Sequence, residues 1–176
     1  MSKLRTVIEG WRVRPSKSQG RVGGCMLSNL LDESLIQLNV EASNWEDAIR
    51  KAAAPLVANG KVTEGYVDDI VKGVHELGPY IVITEHVALP HARPESGALE
   101  SAVSIVTLKN PVEFGSEDND PVKYLFPLSA KDNDSHLSAL QSLVELLSDP
   151  DFFAKLDACK DAKEVVDLVH AKERSM

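Results

Sequence analysis

Two of the five histidines stand where an imidazole can do chemistry. His91 sits in Val87-Ala88-Leu89-Pro90-His91-Ala92-Arg93-Pro94-Glu95, between two prolines that fix φ on either side of the ring. A rigidly placed imidazole is what a nucleophile or phosphoryl acceptor requires. His136 follows Lys131-Asp132-Asn133-Asp134-Ser135 and opens a run with Leu137, Leu140, Val144 and Leu147 at helical spacing, which predicts a helix capped by Ser135. In the first turn of a helix, unpaired N–H groups and the macrodipole favour an anion and disfavour imidazolium. His136 is therefore expected to be neutral and able to donate to a phosphoryl oxygen beside His91. The plain alternative is a loop histidine next to proline and a surface histidine on a helix. His75 reads as a polar helix residue, and His170 as a cation near the end of the last helix.

Other chemistries find weaker support. His86 and His91 are five residues apart, which misses the i, i+4 spacing of helical zinc motifs, and Pro90 breaks any helix between them. Ser129, Asp134 and Ser135 lack the G-x-S-x-G elbow of a hydrolase, and no glycine-rich phosphate loop is present. No metal or nucleotide cofactor is therefore expected. Cys159, beside Lys160, reads as a half-buried thiol at a helix end.

The elements that must hold these residues are legible in part. Asn44 or Ser43 caps a helix with Trp45, Ala48, Ile49, Ala52 and Leu56 on one face, ending near Gly60. A second places Tyr66, Val67, Ile70, Val71, Val74 and Leu77 together and stops at Gly78-Pro79. Short apolar runs over 80–83, 102–108 and 124–128 read as buried strands, and Ser148-Asp149-Pro150 ends the helix that carries His136. Asp161 and Glu164 have capping-box spacing ahead of Val165, Val166, Leu168 and Val169. Helices interleaved with strands predict an α/β sandwich.

The chain has 176 residues, 43% of them hydrophobic, and carries a formal net charge of −8, enough for one domain with a real core. Residues 1–26, rich in glycine, serine and basic side chains, are read as an N-terminal extension, and 27–176 as the domain. Met26 is read as a possible start of translation. The acidic body argues against a nucleic-acid groove and suits a partner that brings positive charge. Two cysteines and the lack of a leader segment point to the cytoplasm, and no stretch reaches the roughly 20 apolar residues of a membrane span.

Val87-Ala88-Leu89-Pro90-His91-Ala92 resembles the phosphohistidine motif of the mannitol/fructose-type EIIA proteins of the bacterial sugar phosphotransferase system. Asp134-Ser135-His136-Leu137, followed by Leu140, Leu143 and Leu147, is similar to that family's second histidine and leucine-rich helix. Gly78-Pro79-Tyr80, His91-Ala92-Arg93-Pro94-Glu95, 117–122 and Leu156-Asp157-Ala158-Cys159 resemble the ascorbate branch.

The resemblance implies a mixed β-sheet flanked by helices on both faces. It also implies a relay from phospho-HPr to His91 and on to an EIIB protein or domain, with membrane EIIC involved only indirectly. His136 would stabilise the phosphoryl group, and an apolar docking patch would surround His91. Mannitol-branch members carry an arginine in the helix before the motif. Lys72-Gly73-Val74-His75 stands there in this chain, so Arg93 takes that role as a possible phosphate contact or the role is empty. The rival reading is a regulatory EIIA-like phosphorylation sensor that controls partner proteins rather than feeding sugar uptake.

Overall fold

A computed structural model describes residues 27–175. The proposed extension over 1–26, with Cys25 and Met26, lies outside the described residues. Five strands form one mixed sheet in the order β1-β5-β6-β3-β2, where β1 is Ile36–Val40, β2 Val82–Thr84, β3 Val87–Ala88, β5 Ile105–Val112 and β6 Val122–Leu125. Two further strands, β4 (Ala102–Val103) and β7 (Leu128–Ser129), pair separately. The pairs β1–β5 and β3–β6 are parallel, while β5–β6 and β2–β3 are antiparallel.

Strand alternation sorts neighbours onto opposite faces. Ala88, Val106 and Leu125 join a core with α1 (Trp45–Ala58) and α2 (Glu64–Leu77). Their neighbours Val87, Ile105 and Tyr124 join a second core with α3 (Asn133–Leu147), α4 (Pro150–Ala158) and α5 (Ala162–Arg174). Helices therefore cover both faces, in agreement with the expected mixed-sheet sandwich. Each core excludes water from aliphatic side chains, the main favourable term available to a chain with so few aromatics.

Several local readings change. The α3 cap is Asp132 rather than Ser135: its carboxylate accepts from the Ser135 N–H at 2.7 Å, which satisfies an unpaired donor of the first turn and starts the helix three residues earlier than expected. Pro150 starts α4 instead of merely ending α3, since a proline at the first helical position gives up an N–H that would have no partner there. The strand over 124–128 divides at Phe126-Pro127, and β1 is an additional strand. Strand β5 runs on to Val112, past the expected end at 108.

The buried stripe of α3 is Ala139, Leu143, Leu146 and Leu147, rotated by one position from the expected stripe of 137, 140, 144 and 147. Leu77, expected in the core, is 75% exposed because the last turn of α2 overshoots the packed face.

Candidate functional site

The site forms where β3 and β6, being parallel, end at the same edge of the sheet. Residues that follow such strand ends are the usual position for chemistry in α/β folds. Beyond β3 the chain continues as Leu89-Pro90-His91, and this extension keeps its ladder. Leu89 N–H donates to Ile81 O at 2.8 Å, Phe126 N–H to Ala88 O at 3.0 Å and Leu128 N–H to Pro90 O at 3.0 Å. The Tyr66 hydroxyl of α2 donates to Leu128 O at 2.7 Å and accepts from the Ala92 N–H at 3.1 Å, tying both extensions to the helix.

Three residues after β7, Asp132 caps α3, and the rotated stripe turns His136 inward. Positions 136, 139, 143 and 146 share one helix face by their i, i+3, i+7 and i+10 spacing. The two imidazoles meet with ring centroids 5.3 Å apart. The proximity that spacing alone could not supply is thus a product of the β3–β6 pairing and the short β7–α3 connection.

His91 is 8% exposed. Its Nδ1 lies 2.6 Å from Leu89 O, and since a carbonyl can only accept, Nδ1 carries the proton and Nε2 the lone pair. Burial pushes the His91 pKa down against the opposing pull of the Leu89 carbonyl. Burial first, and the neighbouring His91 second, push His136 down to about 4. Both rings are neutral at pH 7. The neutrality expected for His136 thus arises chiefly from desolvation.

An open depression of about 580 Å³ is lined by Leu77, Tyr80, His91, Arg93, Asn133 and His136, among others. Arg93 is exposed on its wall, and it leads into a single 3-10 turn over Pro94–Ser96. Gly97 closes that turn at φ +131°, and a Cβ there would come within 2.1 Å of Thr63 Oγ1, so only glycine lets the loop lie against the N-cap of α2. Leu77 and Tyr80, which line the depression, and Leu137, next to His136 in the chain, are exposed.

The remaining candidates lie elsewhere. His75 is exposed on α2 against Trp45, and His86 holds Pro121 O through Nδ1 at 2.7 Å. Ser129 is buried with its hydroxyl on Glu100 O, unavailable as a nucleophile. Cys159 caps α4 half-buried, with its pKa raised by burial and by Glu164 and Asp161.

A neutral imidazole with a fixed tautomer, a second imidazole beside it and an open, partly apolar rim form a histidine site suited to handing a group between proteins rather than enclosing a small molecule. Residues 29–172 match the family model for the phosphoenolpyruvate-dependent sugar phosphotransferase system, EIIA 2, and the chain belongs to that family. As an EIIA component it is a phosphotransfer protein of that system.

The chain is 40% identical over 142 residues to the ascorbate-specific EIIA component of Salmonella typhimurium, covering 80% of this chain and 92% of that one. The solution structure of the mannitol-specific cryptic phosphotransferase enzyme IIA from Escherichia coli superposes with a TM-score of 0.73 at 35% identity, over 81% of this chain and 97% of that one. Enzyme IIA of mannitol from Escherichia coli, solved in complex with its phosphorylated enzyme IIB, gives 0.70 at 27% identity, over 80% and 97%. Among the described residues no helix is long and apolar enough to cross a membrane.

Proposed function

We propose that His91 accepts a phosphoryl group from phospho-HPr in the cytoplasm and passes it to an ascorbate-type EIIB. The Nε2 lone pair of His91 attacks phosphorus in line, a Nε2–P bond forms, and the donor N–P bond breaks with its electron pair returning to the donor imidazole. Nδ1–H keeps its bond to Leu89 O throughout, so the ring neither rotates nor changes tautomer. His136 donates to an equatorial phosphoryl oxygen and Arg93 offers positive charge from the wall. Transfer to EIIB repeats the displacement at the same phosphorus with the acceptor's nucleophile.

The observation that carries this reading is the 2.6 Å contact of His91 Nδ1 with Leu89 O, which leaves the ring's lone pair on Nε2. The ascorbate assignment rests on the 40% identity to the Salmonella component. Residues 27–176 are proposed as the domain that does this work.

Intact mass after incubation with phosphoenolpyruvate, Enzyme I and HPr tests it. One acid-labile phosphoryl group is expected, and it should be lost on adding an ascorbate-type EIIB but retained with a mannitol-type EIIB. No mass gain from a proven donor would overturn the relay. A label that no EIIB removes would favour the regulatory reading.

A further inference from the structure

Tyr80 lies edge-on to His91, with ring centroids 6.0 Å apart and planes 82° from parallel. The turn that brings it there is built for the purpose. Gly78 ends α2 at φ +81°, a conformation open to glycine, and Pro79 follows. The Tyr80 N–H then closes back on Gly78 O at 2.8 Å. The side chain folds over α2 onto Gly73, where an added Cβ would sit 3.0 Å from the Tyr80 hydroxyl oxygen and 3.4 Å from Cε1. Glycine in the middle of a helix costs stability relative to alanine, and here its absent side chain is the seat of the Tyr80 ring.

Tyr80 is nevertheless 40% exposed, so the arrangement is not ordinary core packing. Its ring lines the depression together with His91 and His136. The phenol lies 3.4 Å from His91 O, at the long limit of a hydrogen bond, and contributes little next to the contact of the rings.

We infer that Tyr80, seated on Gly73, is a positioning residue that walls the His91 imidazole and shields its phosphorylated form from water. This rests on the reading of His91 as the phosphoryl acceptor. The reaction held back is hydrolysis: a water oxygen bonds to phosphorus, the Nε2–P bond breaks with its pair returning to Nε2, and inorganic phosphate leaves with the water's protons. A site that must wait for a protein acceptor needs that side reaction to be slow, and an aromatic wall excludes water without competing for the phosphoryl oxygens.

The test measures two rates on the full chain: acquisition of the acid-labile group from phospho-HPr, and its loss in buffer without EIIB, followed by intact mass. Tyr80→Ala is expected to shorten the lifetime of the phosphoprotein about ten-fold while slowing acquisition less, since a wall matters most once the group is in place. Tyr80→Phe keeps the ring and should retain most of the lifetime. Gly73→Ala should displace the ring by a few tenths of an ångström and shorten the lifetime several-fold, while melting at the wild-type temperature or above because alanine favours the helix.

A wild-type lifetime in Tyr80→Ala overturns the inference. So does an equal loss in Tyr80→Phe and Tyr80→Ala, which would assign the effect to the hydroxyl. A wild type that gains no phosphoryl group overturns the reading of His91 itself, a failure distinct from either of these.

Discussion

His91 and His136 stand 5.3 Å apart but are held by opposite means. His91 continues a strand: its backbone lies between Pro90 and the Ala92 contact to Tyr66, its ring is anchored to Leu89 O, and it is nearly fully buried. His136 rides on the first turns of α3, half-buried, with exposed Asn133 and Asp134 ahead of it. In the proposed relay the sheet side fixes an atom in space, while the helix side brings donors to bear on whatever is bonded to that atom. A nucleophile tolerates little positional error, whereas contacts to a diffuse equatorial charge are more forgiving.

Removing the anchored partner breaks the comparison outright. His91→Ala is expected to abolish the acid-labile phosphoryl group, as read by intact mass, while circular dichroism remains that of the wild type. A retained label would place the acceptor elsewhere. His136→Ala should still accept the group but transfer it more slowly, with a barrier higher by about 1 to 3 kcal/mol, at or below the scale of one lost oxyanion donor. Stopped-flow transfer to EIIB measures it, and complete loss of the label in this variant would reverse the two roles.

The smallest effect is on stability. Native His136 is held near 4 and the unfolded imidazole titrates near 6.5, so above pH 6.5 both states are neutral and the pair has no effect on the pH dependence. Between about 6.5 and 4 the unfolded chain binds a proton that the native site refuses, and stability falls as the pH drops. His91 is shifted in the same direction. Urea midpoints measured at pH 7 and pH 4.5 should fall less in His136→Gln than in the wild type, and equal falls would show that His136 is not the group responsible.

The anchored half of the site was the more legible in the sequence, because Pro90 and Pro94 announce a rigid loop whatever surrounds it. On the helix side, His136 was recognised but its face was not. Leu137, Leu140, Val144 and Leu147 suggest one stripe, and only packing in the core shared with Phe126 and Phe152 chooses the neighbouring one at 139, 143 and 146. The caps at Asn44 and Asp161 follow local chemistry and stand as read.

Strand β1 was missed since its ladder is supplied by β5, some 70 residues away, and Asn39 interrupts its pattern at φ +56°. Helix α4 was missed because a proline can close one helix and begin the next. The part proposed for Tyr80 was also invisible, although Gly73 and Gly78-Pro79 were the signals that could have found its seat.

The two bonds of the Tyr66 hydroxyl reach 26 and 62 residues along the chain. Ribosomal synthesis releases His91 well before Leu128 and His136, so a nascent chain exposes the motif histidine before its lock exists. Loop closures of that span come late in folding. The bond from Leu128 N–H to Pro90 O belongs to the same late set, and with it the burial that holds the ring neutral. Half-made copies therefore display the histidine without the burial and the neighbouring imidazole that surround it in the folded chain, and the acceptor role proposed for it begins only when the sheet is closed.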